Sequence, residues 1–358
     1  MLDKETRKEL EKQQYRIVGN HSVVKICGWT KKNIKEEGGC YKNKFYGINS
    51  NQCLQMSTCL SCANRCIFCW RGYKAPVSKD WVGEIDNPEM IFEDSLKAQK
   101  ELLNGFGGLK NKEYENSKSV KHVALSLTGE PIIYPKINEL IRIFHKKGIS
   151  TFLVTNAQYP ETIRDLEPIT QLYLSLDAPT KELLKKIDIP LFDDYWERLQ
   201  KSLEYFANRK ERKCIRLSMI KGENMCNVRD YADLIKKGDP DFIELKGYMF
   251  IGASRQKLSL ENMPFHEDVV DFSKKLLEFL KGYEIVSEHI LSRAVLIAKK
   301  KFYKNKKWYT WIDFEKFIQL VNSGKTFNAE DYWKETPEVG ISGKGTLERM
   351  KTKIIEDL

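Results

Sequence analysis

The stretch Cys62-Ala-Asn-Arg-Cys66-Ile-Phe-Cys69 decides how the rest of the chain is read. Thiols at this C-x3-C-x2-C spacing on one loop reach three corners of a cubane iron–sulfur cluster. The fourth iron is left open, as a chemically active metal centre needs. Enlisting Cys59 gives the alternative, C-x2-C-x3-C-x2-C, four soft ligands for a closed zinc site. Taken separately, Cys59 reads as a small buried thiol ending a strand over 55–60. Upstream stand Cys27, Cys40 and Cys53, with twelve residues in each gap, among Gly28, Gly38, Gly39 and Gly47. A loop-rich segment with three further thiols suggests a second cluster, again one ligand short. Of the nine cysteines, Cys214 and Cys226 alone lie outside these groups and Cys59. Clustered thiols in a reducing compartment are metal ligands before they are disulfides.

Outward from the cysteines, the 358 residues are 41% hydrophobic and 31% charged, enough for one large domain or two ordinary ones. No long uncharged apolar run is present, which predicts no membrane-spanning helix. Met1 precedes Leu-Asp-Lys-Glu-Thr-Arg, no secretory leader, so a cytoplasmic location is expected. Sixty Lys and Arg against 50 Asp and Glu give +10, a bias that suits a polyanionic partner. The five histidines form no H-x-x-x-H pair, against a histidine zinc hydrolase. Gly105-Phe106-Gly107-Gly108 lacks the third spaced glycine of a dinucleotide turn, and Gly343-Lys344-Gly345-Thr346 lacks the hydroxyl residue of a P-loop.

Strand and helix signals then alternate. Strands are predicted over 55–60, 120–127, 150–155, 171–177, 214–220 and 241–246, with helices over 193–208, 227–236 and 267–281. Ile137, Leu140, Ile141 and Phe144 repeat at i, i+3, i+4 and i+7, a helical stripe that stops at Gly148. This βαβα order predicts an α/β fold, a mostly parallel sheet with right-handed crossovers. About six units make a partial (β/α)6 barrel over 55–290. An amino-terminal extension, 1–54, carries the upstream cysteines, and a basic, aromatic extension covers 291–358. Chemistry in such a barrel sits at the carboxyl ends of the strands. There fall Cys62–Cys69, Thr128-Gly129-Glu130, Thr155-Asn156, and Ser175 with Asp177. The run from Lys299 to Trp311 interleaves six lysines with five aromatics, which combines phosphate neutralisation with base-stacking rings. Lys299, Lys300, Lys304, Lys307, Trp308 and Tyr309 are its candidate RNA contacts.

With Phe68 between its last two cysteines, the first motif resembles the signature of radical S-adenosylmethionine (SAM) enzymes. The run Gln55-Met56 … Cys66-Ile67-Phe68-Cys69-Trp70-Arg71 is similar to the tRNA 4-demethylwyosine synthases of wyosine biosynthesis. Downstream, the likeness continues through Leu127-Thr128-Gly129-Glu130-Pro131, Thr155-Asn156-Ala157, Ser175-Leu176-Asp177-Ala178-Pro179, Lys246-Gly247-Tyr248-Met249-Phe250-Ile251-Gly252 and Met263-Pro264-Phe265-His266. It spans about residues 20 to 315.

The resemblance implies two [4Fe-4S] clusters, one on Cys62, Cys66 and Cys69 with SAM, the other on Cys27, Cys40 and Cys53. It implies that a two-carbon fragment of pyruvate closes a third ring on N1-methylguanosine, just 3′ of the anticodon of tRNA-Phe. Thr128, Gly129, Glu130, Asn156, Ser175 and Asp177 fall where SAM binds: Glu130 or nearby backbone carbonyls for the ammonium, Asn156 and Ser175 for carboxylate or ribose, Asp177 for a ribose hydroxyl. The competing structural roles are a chain turn at Gly129 and a helix cap at Asp177. Lys42 falls where an imine-forming lysine is expected, with Lys25 and Lys44 as rivals. About 50 residues precede the cluster loop, so a separate flavodoxin- or ferredoxin-type electron donor is expected. The rival readings are a methylthiotransferase-like tRNA-modifying enzyme and a non-catalytic iron–sulfur RNA-binding protein.

Overall fold

The computed structural model describes residues 4–72 and 75–342; residues 343–358 of the carboxyl-terminal extension, Gly343 to Thr346 among them, lie outside the described residues. Ten strands form one sheet: β1 (Arg16–Val18), β2 (Ser22–Val24), β3 (Cys53–Ser57), β4 (His122–Leu125), β5 (Ser150–Thr155), β6 (Gln171–Ser175), β7 (Arg212–Met219), β8 (Phe242–Gly247), β9 (Tyr283–His289) and β10 (Ala294–Lys299). Strands β3 to β8 run parallel in sequence order, with Leu54 opposite Val123 and Val123 opposite Thr151. These are the six units of the expected partial barrel.

Both edges of the parallel run are covered by antiparallel strands that the alternation did not predict. The β1–β2 hairpin joins β3, with Val24 opposite Met56. On the other side β10 lies against β8, and β9 against β10. An uncovered β3 or β8 would present a row of unpaired backbone groups, and the hairpins satisfy them. The divisions drawn at 54/55 and 290/291 therefore fall inside hydrogen-bonded sheet, the first within β3 and the second inside the β9–β10 hairpin.

Two cores follow from the period-two alternation of the strands. The outer core sits between sheet and helices, where Ile137, Leu140, Ile141 and Phe144 of helix Ile137–Lys146 are all buried as the stripe predicts. The inner core fills the barrel's amino end: Phe152, Tyr173, Cys214 and Phe242 meet Tyr41, Phe45 and Tyr46 of the short helix Tyr41–Tyr46, together with Phe302, Trp308 and Phe317 of the carboxyl-terminal extension. One row nearer the carboxyl ends the same strand faces become polar, where Arg216 lies opposite Ser175 and Glu244. A row further, Ser218 lies opposite Lys246. The barrel is thus plugged below and polar above. No described helix is long and apolar enough to cross a membrane.

Candidate iron–sulfur and substrate site

The strand expected to reach residue 60 stops at Ser57, because Thr58 turns to donate its hydroxyl to Pro131 O at 2.8 Å. The loop it enters carries Cys62, Cys66 and Cys69, and its path is fixed from several sides. Ile67 N donates to Ile187 O (2.8 Å) and Glu130 N to Ser61 O (2.8 Å). Gly129, at φ +66°, lies so close to this loop that any Cβ would collide with the Cys59 carbonyl. Gly252, at φ +57°, presses equally on the Trp70 carbonyl from the other flank. Gly129 thus has a packing role whether or not a ligand is near.

Burial pushes the Cys62 thiol up to about 11, and that of Cys66 well above its usual value. Thiols that resist ionisation in apolar surroundings become stable thiolates when a cation or metal compensates them. Arg71 supplies part of that charge: Nε donates to Cys69 Sγ at 3.4 Å and Nη1 to Leu60 O at 2.8 Å. Asn156 Nδ2 donates to Cys62 Sγ at 3.4 Å, while its backbone N donates to Glu130 Oε2 at 2.8 Å. Glu130 is buried, its Oε1 has no hydrogen-bond partner, and burial raises its carboxyl to about 7. Asp177 is also buried with Oδ1 unpartnered, and burial raises it to about 6. Ser175 is half-buried at the end of β6; Thr128 lines a small pocket with Trp70 and Arg71. Two orphaned carboxylate oxygens beside three thiols match a cofactor that brings an ammonium and hydroxyls to an open iron. Cys59 is buried, and it lines a different cavity, with His21 and Trp81.

The upstream thiols converge. Cys27, Cys40 and Cys53 line one cavity of about 450 Å³ together with Lys25, Lys42 and Arg216, and Trp70 reaches it from the first cluster loop. Cys27 and Cys40 immediately precede the helices Gly28–Ile34 and Tyr41–Tyr46, and Cys53 opens β3. Burial pushes Cys53 up to about 12 and Cys27 upward, while Lys42 pulls both down. Ser50 Oγ donates to Cys40 Sγ at 3.3 Å. Lys42 Nζ lies 4.5 Å from the Tyr173 ring centroid and 5.9 Å from that of Phe152. Of its rivals, Lys44 lines a separate cavity with Glu288 and His289. Lys25 shares the thiol cavity but sits over the Tyr15 and Trp70 rings.

The basic stretch is partly neutralised. Lys299 pairs with Asp239 (2.5 Å), Lys300 with Glu284 (3.7 Å), Lys301 with Asp241 (2.7 Å) and Lys307 with Glu335 (2.8 Å). Lys304 makes no ion pair among the described residues and is exposed. Trp308 is 8% exposed and belongs to the inner core; its ring is committed to packing, which corrects its reading as a stacking surface. Tyr303, 46% exposed, is the outward ring of this stretch, and Tyr309 is half-buried against Trp333. The sequence reading gave no role to Arg71 or Arg216. In Arg212-Lys213-Cys214-Ile215-Arg216 the charges do not alternate, and nothing in the pattern alone marked Arg216 as inward-facing.

Comparison with known families bears on the whole of this arrangement. The model of the radical SAM superfamily matches residues 56–235, and that of wyosine base formation matches 237–299. The tRNA 4-demethylwyosine synthase TYW1 of Xenopus laevis is 46% identical over 353 residues, 96% of this chain and 48% of that protein. A solved structure of TYW1 with a lysine–pyruvate adduct bound superposes at TM-score 0.76 with 36% identity, covering 84% of this chain and 97% of that one. The chain belongs to the tRNA 4-demethylwyosine synthase family. An archaeal TYW1 crystal structure agrees, at TM-score 0.70 and 32% identity over 86% of this chain and 99% of that one. The chain spans about half the length of the curated relatives it matches. Membership of the radical SAM superfamily implies SAM and one [4Fe-4S] cluster, and the loop of Cys62, Cys66 and Cys69 has the donor set for that cluster.

Proposed function

We propose that this chain builds the tricyclic base 4-demethylwyosine, condensing N1-methylguanosine in tRNA-Phe with a two-carbon fragment of pyruvate. The observation that carries this reading is the shared cavity of Lys42 with Cys27, Cys40 and Cys53, bounded by Trp70 of the first cluster loop. A relative of the same family, 36% identical, is described with a lysine–pyruvate adduct, which supports Lys42 as the amine.

In this reading Cys62, Cys66 and Cys69 hold one [4Fe-4S] cluster and Cys27, Cys40 and Cys53 a second. With SAM bound and an electron from a flavodoxin- or ferredoxin-type donor, the first supplies hydrogen-atom abstraction from the N-methyl carbon. Glu130, whose Oε1 has no partner, would take the ammonium of SAM and Asp177 its ribose, with Asn156 and Ser175 completing the polar wall. Thr128 lies at its rim, and Gly129 lets that wall approach the cluster loop. Lys42 Nζ attacks the ketone carbon of pyruvate: an N–C bond forms and the carbonyl oxygen leaves as water. The imine so formed stands over Tyr173, beside the upstream thiols. Residues 291–342, with Lys299, Lys300, Lys304, Lys307 and Tyr309, meet the phosphates and bases of the tRNA.

The test replaces Cys27, Cys40 and Cys53 together by alanine. Iron and sulfide measured anaerobically fall by half, SAM cleavage by the reduced protein persists, and the tricyclic nucleoside disappears from digested tRNA. Unchanged iron content refutes the second cluster.

A further inference from the structure

Arg216 projects from the inner face of β7 into the cavity that holds Lys42 and the upstream thiols. Its guanidinium, with five donors, makes no hydrogen bond and no ion pair among the described residues. The nearest ring is that of Tyr41, 5.9 Å from Cζ. Glu244, opposite it on β8, forms no ion pair with it, though its carboxylate acts on the Arg216 charge through space. The cavity wall carries three cations, Lys25, Lys42 and Arg216, and no Asp or Glu. An unpartnered guanidinium facing an acid-free cavity marks a site for an anion with planar oxygens, since its fork matches a carboxylate bidentately.

Lys25 and Lys42 each stand over a pair of aromatic rings; Lys42 is the amine of the proposed imine, and the ammonium of Lys25 lacks the planar fork that grips a carboxylate by two bonds. Arg216 is the remaining cation. It sits two residues beyond Cys214, which lies opposite Tyr173 under Lys42; that step along a strand is about 6.6 Å. Long side chains from both positions close this gap onto one small molecule, amine at the ketone and guanidinium at the acid.

We infer that Arg216 receives the carboxylate of the 2-oxo acid and restricts the imine at Lys42 to ketones that carry one; this rests on the imine proposed above. The test traps the imine in cluster-loaded protein with cyanoborohydride and reads the adduct by intact mass, without tRNA or SAM. Pyruvate and the neutral ketone acetone serve as probes. Wild-type protein captures pyruvate at far lower concentration than acetone. In Arg216→Gln the pyruvate half-saturation rises roughly 10- to 150-fold, the range for lost hydrogen bonds to a charged group, and acetone capture is unchanged. Arg216→Lys, which keeps charge but not the fork, falls between.

Equal capture of pyruvate and acetone by wild type overturns the inference without any variant. So does an unshifted pyruvate curve in Arg216→Gln at full iron content. No adduct on Lys42 in wild type is a different result: it removes the imine itself, and this role of Arg216 with it.

Discussion

His122 accepts the Asn49 N–H at Nε2 (3.3 Å) and meets Ser150 Oγ through Nδ1 (2.7 Å), so its ring is neutral in the fold. Burial, and to a lesser extent Lys121, depresses it from 6.5 to about 3. A histidine whose folded value lies below its unfolded one binds fewer protons when folded, so its contribution is present above pH 6.5 and fades as pH falls toward 3. We expect about 1.4 kcal/mol lost per pH unit below 6.5 from this ring; melting curves of wild type and His122→Asn between pH 7.5 and 5.5 read it as a flatter slope in the variant. On the proposed function, Lys42→Ala is expected to keep its iron content and SAM cleavage and to form no tricyclic product, measured by nucleoside mass spectrometry; normal turnover removes the imine step. Lys42 was singled out through the family resemblance, and the fold places it in one cavity with the upstream thiols. Arg216 and Glu244 were not legible, because a charge in a strand pattern reads as solvent-facing. Only the closure of the barrel turns that face inward.

At the level of elements, β4, β5 and β6 were readable because each holds a buried β-branched or apolar run within an alternation of strand and helix signals. The covering strands were not. β1 and β2 have three residues each, too short for any period, and β9–β10 reads as a tail until its partner β8 is known. Loop packing was equally hidden: Thr128-Gly129-Glu130 signalled a ligand, and the structure adds a steric demand against Cys59. Gly129→Ala therefore acts through the loop. The left-handed backbone alone costs about 1–3 kcal/mol, and the collision with the Cys59 carbonyl shifts the loop. The expected outcome is a lower melting temperature and faster loss of iron to a chelator from the first cluster, with the second retained.

Across the whole molecule, the +10 charge predicts tRNA binding that weakens steeply with salt. The exposed ion pairs of Lys300 and Lys307 are worth little in water and exchange readily for phosphates. Lys304→Ala with Lys306→Ala removes two cations from the hairpin of strands Tyr303–Lys304 and Lys307–Trp308 and lowers the logarithmic salt slope by about 0.7–0.9 per lost phosphate contact; filter binding at several salt concentrations measures it, and an unchanged slope places the RNA elsewhere.

Helix Tyr41–Tyr46, which carries Lys42, is tied to the carboxyl-terminal extension by Thr310 Oγ1 to Phe45 O (2.7 Å) and Trp311 Nε1 to Lys44 O (3.0 Å). Those donors follow Tyr309 directly in sequence. In the proposed function, whatever grips that tyrosine would also pull on the peptide that carries the amine, so recognition of a macromolecule outside and posture of a nucleophile within would share a two-bond linkage.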